Sequence, residues 1–213
     1  MSETSQPSTS SAKVAEDLAF LRDLAEAARN TPFRGGDYLI AAGGWFALAS
    51  LVVWFGAQGV FGPSRSLAYF SFPICGLGFA ATLAYLLHRD RGRVETTANR
   101  ALGIAWAAVG WSILAFCAGA AVMAYRGQPF ALNTITMFVL SVYGIGWALA
   151  AAITRQGWMS VTAFLTFLAV PLFGALAGTG QEFLAYGIAL ILIAVLPGFR
   201  LRAAAHTPAT ART

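Results

Sequence analysis

Charge is what this sequence has least of. Of its 213 residues only 11% are Asp, Glu, Lys or Arg, against 58% hydrophobic, and the mean hydropathy is +0.66. Soluble globular domains carry about 25% charged residues, so an ordinary water-facing fold is excluded. Lysine occurs once, at Lys13, and every other basic residue is arginine. Only Cys75 and Cys117 are present, both inside apolar runs, which excludes a disulfide scaffold and a CxxC metal site.

The scarcity is sharpest inside the apolar runs, which contain no Asp, Glu, Lys, Arg or His between their ends. Proton-coupled transport, voltage sensing and most intramembrane catalysis need an ionisable group at depth, where it is costly and kept only for use. Asp37, His88 and Glu182 all lie at the ends of runs, where helix termini accept such groups cheaply by capping or snorkelling. Ser112 and Ser160 have no His or Lys base within the runs, and no GxSxG or HExxH motif occurs. Gly76-x-Gly78 follows no strand, which removes the dinucleotide reading. The chain therefore reads as non-enzymatic, with no catalytic residue, cofactor or metal site expected.

Six charge-poor apolar segments are what is there: 38–57, 68–87, 101–124, 131–154, 157–177 and 183–199. A hydrocarbon core of about 30 Å needs roughly 20 helical residues, and five of the six reach that length. The sixth, the shortest, is bounded by Gln181-Glu182 on one side and by Pro197 and Arg200 on the other. It is counted because a segment entering lipid must pair its backbone groups internally, which a helix does. The expected fold is an all-α membrane protein with six transmembrane helices over 38–199. Residues 1–12 form a Ser/Thr/Pro-rich disordered tail, and 200–213 a cytoplasmic tail.

Arginine sets the expected orientation. With the N-terminus inside, Lys13, Arg22, Arg29, Arg34, Arg89, Arg91, Arg93, Arg100, Arg155, Arg200, Arg202 and Arg212 fall on the cytoplasmic side, and only Arg65 and Arg126 outside. A net charge of +5 with a pI near 9.7 is thus a topology signal, and no nucleic-acid partner is expected. The first apolar run begins too late for a cleavable signal peptide. Arginine in place of lysine, with abundant Ala and Gly, fits a GC-rich bacterial genome. The expected location is the bacterial cell inner membrane, with both termini cytoplasmic.

The chain also resembles itself. A gap-free shift of 66 residues aligns Arg34 to Arg89 with Arg100 to Arg155 and matches Gly44-Trp45 with Gly110-Trp111, Pro63 with Pro129 and Gly78 with Gly144, giving 13 identities in 56 positions. Helices 1–2 and 3–4 are read as tandem copies of one hairpin in parallel orientation. Phe183 and Gly187 echo Phe72 and Gly76, so helices 5 and 6 would be a third, diverged copy.

Three features are candidates for function. Gly-Trp pairs place Trp45, Trp111 and Trp147 on three helices at similar depth, roughly 10 to 16 Å from the cytoplasmic boundary. They form either an aromatic cage for an apolar or cationic ligand or, the preferred reading, a large-into-small packing cluster. Small residues recur at four-residue spacing, in Gly43/Ala47, Gly76/Ala80/Ala84, Gly103/Ala107, Gly144/Ala148/Ala152 and Gly174/Gly178, which implies a compact bundle or a homo-oligomer. Before the first span, Val14, Leu18, Leu21, Ala25 and Ala28 line one face of a cytoplasmic amphipathic helix over 13–30, with Asp23 and Glu26 elsewhere on its surface. Its apolar stripe must dock on the basic loop with Arg89, Arg91 and Arg93, on a cytosolic protein, or on a second copy.

Two functional expectations result. The first is a membrane anchor or sensor engaging a cytosolic partner through the N-terminal helix. The second is a small uncoupled transporter or channel for an apolar or cationic solute, with a path past Trp45, Trp111 and Trp147.

Overall fold

The computed structural model describes residues 13–14, 16–19, 35–60, 66–92, 96–128 and 134–206, with 66–69 and 206 described by backbone alone. Over the described bundle every element is helical. In chain order they are α1 (Gly36–Ala57), α2 (Ser66–Arg89), α3 (Thr97–Tyr125), α4 (Ile135–Thr154), α5 (Gly157–Leu176), α6 (Glu182–Leu190), a π-helical turn (Ile191–Val195) and α7 (Leu196–His206). They make six spans long and apolar enough to cross a membrane, the sixth running from Glu182 to Ala205 through α6, the π turn and α7.

Helix ends follow local chemistry. Thr96 caps α3: its extended backbone aims the hydroxyl at the Asn99 N–H, 3.3 Å away. Thus α3 begins four residues before the apolar run that marks it in the sequence. Gly127 (φ 82) follows α3 in a left-handed conformation that glycine adopts without strain. Arg155 takes the same conformation (φ 55) at the end of α4 and donates its N–H to the Ala151 carbonyl at 2.7 Å, so α5 starts only two residues later. Pro73 and Pro171 lie inside the unbroken α2 and α5.

Packing has two centres. One is α1, which lies against α2 and along the whole sixth span; the other is α4, which lies against α5 and α3. Glycine makes the first contact intimate. A Cβ added at Gly36 would stand 2.5 Å from the Gly198 carbonyl oxygen, and one at Gly198 would stand 2.9 Å from the Gly36 oxygen. Two turns further along α1, a Cβ at Gly43 would meet Ala194 and Val195 at 2.9 and 2.8 Å. In lipid, helices gain little by hiding apolar surface from one another, so close backbone approach is what holds them together.

The second centre is sealed by rings and long side chains. Leu140, Trp147, Ala150, Met159 and Ala194 are all at 0% exposure, with Leu190 at 1%. Glycines again admit the large groups: Trp45 lies on Gly78, Trp106 on Gly146 and Phe167 on Gly144. The expectation that Gly43/Ala47 and Gly144 serve helix packing matches these contacts, whereas Gly76 and Gly103 face open space.

The sixth span differs from its sequence reading. Pro197 and Arg200 bound the apolar run in the sequence, yet the helix winds past both and past Arg202 to His206. Proline has no N–H for the carbonyl four residues back, and its ring crowds that group. The chain answers with the π turn just before it, where the Leu196 N–H reaches back five residues to the Ile191 oxygen. The carbonyl that Pro197 cannot serve belongs to Ile193, and the Trp147 indole N–H donates to it at 2.9 Å.

Substituting Gly36→Ala or Gly198→Ala should each cost about 1–3 kcal/mol through overpacking against backbone. Gly103→Ala, which adds a methyl to open space, should stay within about 0.5 kcal/mol of the parent. Thermal unfolding in detergent micelles checks the contrast.

Candidate functional site

The three tryptophans singled out in the sequence sit in three different settings. Trp45 spans the α1–α2 contact, lying on Gly78 and donating its indole N–H to the Thr82 hydroxyl at 3.1 Å. Trp147 is wholly buried on α4 and bonded to the sixth span. Trp111 is 71% exposed on the outward face of α3. Its counterpart in the 66-residue shift, Trp45, lies on Gly78, but the glycine that corresponds to Gly78 is Gly144, which Phe167 of α5 covers instead. A shallow, open groove lies beside Trp45, lined by Ile40, Ala41, Gly44 and Leu48 of the same helix.

The aromatic cluster that does form is built on Trp147. Trp106 and Trp158 lie 5.4 and 5.6 Å from it between ring centroids, and Tyr143 lies 5.5 Å from Trp106. Arg200 places its guanidinium 4.6 Å from the centre of the Trp158 ring, a cation–π contact worth about 0.5–1 kcal/mol where exposed. The Trp158 indole N–H donates to the Gln156 side chain at 2.6 Å. The Trp106 indole nitrogen is enclosed without a hydrogen bond.

Ionic contacts gather at the end of the bundle where α1 starts. Arg89 at the end of α2 donates to the Asp37 carboxylate at 2.8 Å and to Asp90 at 3.1 Å. The Tyr38 hydroxyl donates to Asp90 at 3.0 Å. Arg202 of α7 stands 3.6 Å from the second Asp37 oxygen, close enough for ionic attraction though too far for a hydrogen bond, and that oxygen has no hydrogen bond of its own. Three helix ends are thus tied by one carboxylate. Among the described residues from 35 to 206, Arg89, Arg91, Arg100, Arg155, Arg200 and Arg202 stand at this end and Arg126 at the other.

The opposite end holds a buried acid. Glu182, at 2% exposure, accepts a hydrogen bond from the Thr136 hydroxyl at 2.8 Å and another from the Gly178 N–H at 2.7 Å. It sits in the first turn of α6, and Thr136 in the first turn of α4, so the partial positive ends of two helices face one carboxylate. The Thr136–Glu182 and Trp147–Ile193 bonds share the same sequence separation of 46 residues. The α4 helix and the sixth span therefore run parallel, joined by polar bonds three turns apart.

Of the residues proposed to engage a partner, Leu21, Asp23, Glu26 and Arg93 lie outside the described residues. Residues 16–19 are helical, and Leu18 is 62% and Val14 54% exposed. Arg89 is taken up by Asp37 and Asp90, while Arg91 is exposed. Sequence reading missed the enclosed Glu182 because position alone made it a boundary residue. It missed Trp106 because no glycine precedes it in the chain; the glycine it covers, Gly146, lies on another helix. A signal for the ionic end was present: Asp37 and Arg89 are the charged residues that flank the first hairpin.

The chain matches no family model, no curated protein and no solved structure. Fold and contacts define its class: six apolar helices of spanning length, the architecture of a multipass membrane protein.

Glu182→Ala should cost about 1–3 kcal/mol, since it leaves the buried Thr136 hydroxyl without its partner and takes the acceptor from the Gly178 N–H. The half-exposed Asp37–Arg89 pair should show a coupling of only about 0.5–1 kcal/mol in a double-mutant cycle, and less at high salt. Chemical unfolding of the reconstituted protein measures both.

Proposed function

We propose that the chain is a non-enzymatic anchor or sensor of the bacterial inner membrane, with both termini in the cytoplasm, that engages a cytosolic protein through an amphipathic helix over residues 13–30. The observation that carries this reading is the filled centre of the bundle. Leu140, Trp147 and Leu190 occupy at 0 to 1% exposure the place where a solute path would run. Trp111, one of the three tryptophans a path would need, faces away from that centre at 71% exposure. This favours a packed support over the alternative of an uncoupled transporter or channel.

Two further observations support the cytoplasmic side of the reading. The arginine bias of the described bundle puts six at one end against one at the other, as expected of a cytoplasmic face. Val14 and Leu18, one helical turn apart, expose apolar surface ahead of the first span. A stripe of that kind on an acidic helix suits a groove in a partner protein better than an anionic lipid surface. Duplication of a hairpin accounts for the 66-residue self-similarity, with the second copy since repacked around Phe167.

Affinity purification from native membranes tests the proposal. Full-length protein should retain a cytosolic protein that the form lacking residues 1–30 loses, while both forms unfold at the same temperature. Solute flux through liposomes carrying either form, with nothing co-purifying, would replace this reading with the transporter.

A further inference from the structure

The sixth span changes its winding once, and every contact of its far end depends on where it does so. Ahead of the π turn, Glu182 is fixed to Thr136, Tyr186 lies against Phe173, and Gly187 approaches the Ala47 carbonyl. Beyond it, Gly198 meets Gly36, Arg200 covers Trp158 and Arg202 reaches Asp37. An α-helix turns about 100° per residue, and a turn closed five residues back is wider, so five residues wound this way leave the rest of the helix behind by roughly a quarter of a turn. The direction in which Gly198, Arg200 and Arg202 point is therefore set inside the bilayer, at Ile191–Val195.

What holds that winding is equally local. Pro197 removes the N–H that would close a regular turn on the Ile193 carbonyl, and Trp147 replaces it with an indole N–H at 2.9 Å. This donor comes from another helix, so the bond that completes the sixth span also fastens it to α4. Trp147 is at 0% exposure and wedged between Trp106 and Trp158, which fixes the direction of its N–H. The ring that caps the π turn thus touches Trp158, the ring on which Arg200 rests.

We propose that the sixth span is a latched rotary element: with the Trp147 indole on the Ile193 carbonyl, the π turn holds Arg200 and Arg202 against α5 and α1, and release of the latch turns that basic end away from Trp158 and Asp37. The device links the middle of the bundle to the charge displayed at its arginine-rich end. It is independent of whether the N-terminal segment has a partner.

Spin labels on Arg91→Cys and Ala203→Cys, in protein carrying Cys75→Ala and Cys117→Ala and placed in lipid nanodiscs, report the rotation as a distance. The parent should give one distance. Trp147→Phe, which keeps a ring and removes the donor, combined with Pro197→Ala, which restores the N–H of a regular turn, should shift it by roughly 5 to 7 Å, a quarter turn at a helix radius of about 5 Å. An unchanged distance in a double variant that melts with the parent overturns the proposal. Should the double variant fail to fold, hydrogen exchange of the unsubstituted protein decides. The Leu196 amide and the Trp147 indole should then show one shared protection, each rate taken against that group's exchange in unfolded protein, and protections more than about tenfold apart overturn the latch.

Discussion

The approach of α1 to the sixth span through glycine is the constraint on which the other contacts rest. Gly36 and Gly198 bring two backbones so near that neither position admits a methyl group. Only at that separation does Arg202 come within ionic reach of Asp37, and Asp37 in turn receives Arg89 from α2. The charged end of the bundle is thus a product of small residues in its apolar part. Lipid makes this necessary, because dispersion between closely fitted surfaces replaces the water-driven attraction that would hold soluble helices.

Polar atoms inside the bundle are few and, the enclosed indole nitrogens of Trp54 and Trp106 apart, most are given a structural task. Glu182 joins the starts of α4 and α6, Thr82 receives Trp45, and the Ile193 carbonyl receives Trp147. Several hydroxyls, among them Ser50, Ser112 and Thr166, turn back to the carbonyl four residues earlier and so need nothing from a neighbour. An apolar medium leaves no water to satisfy such groups, and this economy of donors and acceptors is how the chain meets that condition.

The six spans were legible in the sequence because hydrocarbon imposes length and the exclusion of charge on every segment alike. The use of Gly43 and Gly144 was legible as well, since spacing marks a helix face that can be approached. The end of the sixth span was not, because Pro197 has two meanings. In isolation it stops a helix; beside an indole donor from α4 it produces a π turn, and the donor is 50 residues away in the chain. Trp45 and Trp111 were alike in sequence and proved unlike in setting, for a side chain on α5 decides which of them finds its glycine. Burial of Glu182 depends in the same way on Thr136 and Gly178 meeting it, a convergence that no local pattern records.

The pairing of α1 with the sixth span also bears on how the protein is made. A ribosome delivers α1 to the bilayer well before the sixth span that fits it. Until residues 182–206 emerge, the notch formed by Gly36 and Gly43 has nothing to fill it except acyl chains. Closure of the described bundle therefore waits on the sixth span, and a product cut short before Glu182 would lack the clasp that fastens α1.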